Sequence, residues 1–332
     1  LEGISIKSGK FKVGIKKIDS DLQSAIYGAM DLIEWKKQIK KGGQIVVKPN
    51  MGNLTYIPGV ITNPDVLYHV VSRLRDYAED VIVGESDGIR YSCDEAFAKT
   101  NFKAIVEKAG GRVINFSNDK QIPVKISGFF WDEVLLPKSI VDADSFVSIP
   151  LVKTHEATTL TCGIKNQWGC IADRNRILFH HHLHKVLVDV NLAIKPDLIV
   201  TDGTICMEGN GPIHGPSKEL NLIICSNNVL ANDIVVSRIA KFDENTIEYL
   251  TNACKIGLGP NNISEIEILG ESLKNFNDFF LAPPKLDLVA NAMSLIYRSK
   301  FLTHVVFVSP FFGIMNRVAW LYRGFYGKKK RT

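Results

Sequence analysis

The chain has 332 residues, 45% apolar and 23% charged, a globular composition that excludes a disordered, collagen-like or coiled-coil protein. Its six cysteines stand singly, with no C-x-x-C pair, which excludes a zinc ribbon, a disulfide framework or a ferredoxin-type cluster run and fits reduced thiols in a cytoplasmic protein. The net charge of +5 is uneven, because residues 288–332 carry eight Lys and Arg and no Asp or Glu. The rest of the chain is mildly acidic, without the basic face a nucleic-acid enzyme would use.

Leu1–Lys17 is polar and basic, without the apolar stretch of a signal peptide. Phe11–Ile15 and Gln44–Val47 predict strands flanking a helix from about Ser20 to Lys40. Pro64–Glu79 predicts a helix, with Asn63 as N-cap, Pro64 at its first position and Val66, Val70, Val71 and Leu74 on one face. A strand follows at Asp80–Val83, then a helix over about Cys93–Ala109 and a strand at Arg112–Phe116. Gln121–Leu136 reads as an inserted antiparallel hairpin. Further strands are expected at Ser145–Ile149, Leu198–Thr201 and Leu222–Cys225, with helices near His180–Ile194 and Val229–Lys241. This alternation implies an α/β fold, a mainly parallel doubly wound sheet with helices on both faces, over residues 1–275. Residues 276–332 are expected as a basic, apolar-aromatic helical extension.

In open α/β sheets ligands bind outside the carboxyl ends of the strands. Those ends carry Lys48-Pro49-Asn50, Gly84-Glu85-Ser86-Asp87, Lys153-Thr154-His155 and Thr201-Asp202-Gly203, so one shared pocket is expected. Lys153, Thr154 and His155, followed by Gly163-Ile164-Lys165-Asn166, suit recognition of a small anion: lysines supply charge, while hydroxyls and exposed amides supply directed donors. No Walker motif and no G-x-G-x-x-G is present. In His180-His181-His182-Leu183-His184, an α-helix would set His180 and His184 one turn apart, able to share a divalent metal, but the Glu of H-E-x-x-H is missing. A single imidazole, His155 or His184, acting in proton transfer is the simpler use. Asp202 and Glu208 would orient these histidines, bind a cation or merely cap turns; Asp233 alone reads as an exposed or capping carboxylate.

Lys48-Pro49-Asn50, Thr62-Asn63-Pro64, Gly84-Glu85-Ser86, Lys153-Thr154-His155, Gly163-Ile164-Lys165-Asn166-x-x-Gly169, Leu183-His184, Pro196-Asp197-Leu198, Asp202-Gly203 and Glu208-Gly209-x-Gly211-Pro212-x-x-Gly215 occur in that order. Together they resemble the domain-of-unknown-function 362 family of archaea and bacteria, over residues from about 12 to 270. The resemblance implies site roles for Lys48, Asn50, Lys153, His155, Lys165, Asn166, His184, Asp202, Glu208 and Asp233, without saying what they do. Many relatives carry a ferredoxin-like module with two four-iron clusters, which suggests redox chemistry. With no cysteine run here, no iron–sulfur cluster is expected in this chain, and an external ferredoxin-like donor would be needed. The acidic residue that many relatives place before Asp233 is Asn228 here, which weakens a carboxylate pair.

In the extension, Leu286–Tyr297 predicts an amphipathic helix, and Phe301–Met315 is apolar but contains Pro310 and falls short of a membrane span. Arg317, Trp320, Arg323 and Lys328–Arg331 mix aromatic and basic residues as an interfacial anchor on anionic lipid would; packing on the body or on a second copy of the chain is the alternative. The sequence therefore predicts an enzyme for a small anionic, lipid-linked or free substrate, an oxidoreductase by family analogy only. It would be cytoplasmic and peripheral at the inner face of the membrane. The alternative is a non-catalytic ligand- or metal-binding module at that surface.

Overall fold

A computed structural model describes residues 11–89, 91–284 and 288–308 of the chain. In chain order the strands are β1 (Phe11–Lys17), β2 (Gln44–Pro49), β3 (Asp80–Glu85), β4 (Arg112–Asn115), β5 (Gln121–Lys125) and β6 (Glu133–Pro137). They continue with β7 (Ser145–Ile149), β8 (Leu151–His155), β9 (Thr159–Thr161), β10 (Leu198–Met207), β11 (Ser217–Ser226) and β12 (Ile266–Gly270).

β2 shows why the chain folds this way. Its unbroken Ile45-Val46-Val47 run sends Ile45 and Val47 into one hydrophobic core and Val46 into the other. A sheet buried on both faces needs such runs. The helices Leu22–Leu32 and Pro64–Arg75 pack in the first core, and Leu183–Ala193 and Val229–Ile239 in the second. The sheet order is β12-β1-β11-β10-β7-β2-β3-β4, with β8 and β9 joined to it through β10. β10, β7, β2, β3 and β4 run parallel, whereas β11 opposes both its neighbours. β5 and β6 form the separate antiparallel hairpin. The fold is thus α/β with a mostly parallel central sheet, an antiparallel hairpin and a C-terminal helical region.

Several expected boundaries shift for local reasons. The first helix stops at Leu32 because Glu34 turns left-handed at φ 54°, and only a 3₁₀ turn (Trp35–Lys37) follows. The helix expected over Cys93–Ala109 breaks in two at Asn101, φ 63°. The histidine run is the end of a 3₁₀ helix, Arg174–His182, and the α-helix starts only at Leu183. His180 and His184 therefore do not share one α-helical turn. β10 runs on to Met207, so Asp202 lies within a strand, not at its end. Lys153-Thr154-His155 likewise belong to a strand, β8, whose polar residues hid it from the hydrophobic pattern.

In the C-terminal region, the helices Leu288–Tyr297 and Lys300–Thr303 lead into a π turn at His304–Val308. Tyr297 lies 4.8 Å, ring to ring, from His180, and Phe307 stacks on Tyr297. Leu286, residues 309–315 of the apolar stretch and the cluster from Arg317 to Arg331 lie outside the described residues. No helix among the described residues is long and apolar enough to cross a membrane.

Candidate functional site

β2, β3 and β7 end together, and Thr62 ties β7 to the residue after β2. Its hydroxyl donates to Ile149 O (3.1 Å) and accepts from Asn50 N (2.8 Å), fixing Asn50 just past β2. The Asn50 amide bridges inward: Lys153 Nζ donates to its Oδ1 (2.8 Å) and its Nδ2 donates to Asn166 Oδ1 (3.1 Å). Asn166 Nδ2 in turn reaches Lys48 O and Ser148 Oγ. Segments more than 100 residues apart in sequence are thereby locked into one wall.

That wall faces a cleft of about 450 Å³, open to solvent and lined by Lys48, Asn50, Glu85, Ser86, Tyr91, Lys165, Asn166, Trp168 and Arg176 among others. Lys48 is buried and does not meet the cleft as a free charge, because its Nζ lies 2.6 Å from Glu85 Oε2 and also donates to Pro49 O. Glycine at 169 makes room for that pair: a Cβ there would sit 2.3 Å from Glu85 Oε1 and 2.8 Å from Lys48 Nζ.

Lys165 and Arg176 remain. Desolvation by burial, then the Arg176 charge, pulls the Lys165 ammonium down to about 8. Arg176 is clamped by backbone carbonyls, donating to Asp87 O at 3.0 Å and to Ile171 O and Asp173 O at 3.2 Å. The ion pairs at this end of the sheet join Lys48 to Glu85 and Arg174 to Asp87; among the described residues, neither Lys165 nor Arg176 belongs to one.

Lys153 is buried and reaches the cleft only through Asn50. Desolvation, then the charges of Lys165 and Lys48, lowers its ammonium to about 7. His155 is also buried, and desolvation followed by the Lys165 charge drives its imidazolium well below the usual range. Ala157 N donates to His155 Nδ1 (3.0 Å), so the neutral ring carries its proton on Nε2 and is a hydrogen-bond donor there. His180 is lowered to about 3 by burial and then Lys165. His184, lowered by burial, has Nε2 3.9 Å from Glu248. Lys153, Lys165, His155, His180 and His184 thus form one electrostatic neighbourhood.

The expected carboxylates do not join it. Asp202 is buried, accepts from Asn63 N (2.7 Å) and from Thr204 N and Oγ1, and so fixes the start of the Pro64–Arg75 helix. It does not set the tautomer of His155, which the Ala157 amide sets instead. Glu208 accepts from Ala282 N (3.0 Å) and pairs with Lys218, holding the glycine-rich loop to the segment near 282. Asp233 is buried and not exposed: it accepts from Gly163 N and Ile164 N, pinning the turn that presents Lys165. Thr154 donates to Gly209 O (2.8 Å), a loop anchor and not a cleft residue. Asn228 caps the Val229–Ile239 helix. No group of three or more His, Cys, Asp or Glu side chains among the described residues could hold a metal ion.

Arg176 and Tyr91 line the cleft without having been singled out, whereas Ser86 belongs to the Gly84–Asp87 strand end expected to face a shared pocket. Arg176 sits in a 3₁₀ segment with no periodicity to read.

A thylakoid-associated protein of Synechocystis sp. is 30% identical over 242 residues, 67% of this chain and 70% of that protein. The lactate racemase apoprotein from Thermoanaerobacterium thermosaccharolyticum aligns over 65% of this chain and 54% of its own, at 15% identity and a TM-score of 0.43. The model of the domain of unknown function DUF362 matches residues 45–238, a stretch that holds Lys48, Lys153, Lys165 and Arg176. The chain therefore belongs to the DUF362 family.

Proposed function

We propose that the chain is an enzyme that binds a small anion in the cleft between Asn50, Ser86, Lys165 and Arg176 and transfers a proton to it. The observation that carries this reading is the pair of cations Lys165 and Arg176, lining the cleft without an ion pair among the described residues. An ammonium at about 8 is mostly protonated at neutral pH, yet close enough to it to give up its proton, the condition for an efficient general acid. Lys165 would hold the anion and donate the proton. His155, neutral and protonated on Nε2, would act as a hydrogen-bond donor beside it. Lys153 would orient the Asn50 amide without touching the ligand.

The test does not need a known substrate. Purified full-length chain is incubated with a metabolite extract in D₂O, and products are compared by mass spectrometry for wild type and Lys165→Met. We expect at least one anionic compound to gain deuterium or change mass with wild type only. Retention of an anionic compound without conversion would make the chain a binding module, and neither retention nor conversion would remove the reading.

A second observation bears on where the chain works. Phe301 is 74% and Leu295 62% exposed in the C-terminal helices, in a region rich in basic residues, and the Synechocystis relative is described as thylakoid-associated. These support peripheral docking on an anionic membrane. Co-sedimentation with anionic vesicles, weakened by salt and lost on truncation after residue 284, is the expected result; binding unchanged by the truncation would exclude the extension as anchor.

A further inference from the structure

Resting on the anion-cleft reading, we propose that the ligand is a dianion, either a phosphate monoester or a dicarboxylate, received between Lys165 and Arg176 with the Ser86 hydroxyl as an added donor. The charge balance of the cleft carries this. Its lining holds three cationic side chains, Lys48, Lys165 and Arg176, and one carboxylate, Glu85. Glu85 is committed to Lys48 at 2.6 Å, which leaves an excess of two positive charges. The neighbouring carboxylate of Asp87 is taken by Arg174 and by the amides of Cys93 and Asn115; with Asp173 it favours the Arg176 charge from a distance, but neither lines the cleft. A monoanion would leave one of two adjacent, poorly solvated cations uncompensated, and such charges are costly. A dianion satisfies both.

The donors are arranged to receive such a group. Three carbonyls hold Arg176 in place before any ligand arrives. Ser86 is 3% exposed, and its hydroxyl has no hydrogen-bond partner among the described residues. A buried hydroxyl is rarely left unpaired, and this one belongs to a residue lining the cleft. The amides of Asn50 and Asn166, by contrast, are spent on each other and on Lys48 O and Ser148 Oγ. Lys165 is half-buried at the cleft and supplies the point charge that a tetrahedral or carboxylate oxygen can share with the guanidinium.

Titration calorimetry on the full-length chain at pH 7.5 and low salt, with acetate, malonate and inorganic phosphate as probes, tests this. Malonate, phosphate or both should bind at least about tenfold more tightly than acetate, the scale of one additional charge-assisted contact. Lys165→Met, checked for folding by circular dichroism, should lose most of that preference, because Arg176 alone is left to hold an anion. Whichever dianion binds more tightly distinguishes a phosphate monoester from a dicarboxylate. Equal affinity for all three probes would overturn the dianion assignment and leave the anion cleft standing. A dianion preference untouched by Lys165→Met would overturn the location. Binding of none of the three would remove the anion-cleft reading together with the inference built on it.

Discussion

Lys153 and Asn50 are joined by a 2.8 Å hydrogen bond, Nζ to Oδ1, between residues 103 positions apart. The bond turns the Asn50 amide so that its Nδ2 meets Asn166, and it makes a buried amine part of the frame of the cleft. Lys153 also donates to Val60 O at 2.8 Å, so two oxygen acceptors hold it whether or not it carries its third proton.

That burial should appear in the pH dependence of stability. The folded-state ammonium lies at about 7, against about 10.4 in an unfolded chain. Between those values the unfolded chain binds more protons at this residue than the folded one, so its contribution to stability rises with pH across that window and is least favourable below 7. Urea unfolding at pH 7 and pH 9 should show a positive pH increment in wild type that shrinks in Lys153→Met. An identical increment in both proteins would mean that Lys153 is not desolvated.

The Lys48–Glu85 pair makes a prediction of opposite character. Both side chains are nearly inaccessible to solvent, 2% and 7% exposed. Removing one partner strands a buried charge, so Lys48→Met should cost about 3–5 kcal/mol. The double variant Lys48→Met, Glu85→Leu should recover most of that loss, because two apolar groups need no compensation. Chemical denaturation of the two variants and wild type reads this directly; a double variant no more stable than Lys48→Met would contradict it.

The sheet was legible because its strands announce themselves: Ile45-Val46-Val47 and Leu222–Cys225 are unbroken apolar runs that fit strands buried on both faces. The position of Lys165 was legible too, from small residues interleaved with donors. β8 was not, since Lys153, Thr154 and His155 break the apolar pattern and are satisfied only by distant partners at Asn50, Gly209 and Ala157. Asp202 and Asp233 were recognised as special, but a carboxylate that pins backbone amides looks the same in sequence as one poised for chemistry. Arg176 gave no signal, because what makes it notable is its three carbonyl partners and a cleft, both products of the fold.

Asp189 is the clearest residue of that hidden kind. Inside the apolar Leu183–Ala193 helix it is fully buried, yet it accepts from Phe129 N (2.6 Å), Phe130 N and Trp131 N (both 2.8 Å). It thereby secures the tip of the β5–β6 hairpin, whose Trp131 stacks on the cleft residue Trp168. Asp189→Asn turns one acceptor into a donor facing an amide and should cost about 1.5–3 kcal/mol, the worth of charge-assisted bonds. Denaturation and Trp fluorescence should change together; a variant as stable as wild type would show that the hairpin tip is held by its aromatic contacts alone.

Anion affinity should follow the titration of Lys165. Burial and Arg176 place its ammonium at about 8, so the charged form that attracts an anion prevails below that pH and is lost above it. Arg176 stays charged throughout, since a guanidinium even when lowered titrates far above this range. Affinity for malonate, fully ionised across the interval, should therefore be nearly level from pH 6.5 to 7.5 and fall steadily through pH 8 to 9 without vanishing. In Lys165→Met the same curve should be flat and low, because the titrating charge is gone while the fixed one remains. Affinity that held constant to pH 9 in wild type would show that the Lys165 ammonium is not brought near neutrality by its surroundings, and with it would go its role as proton donor.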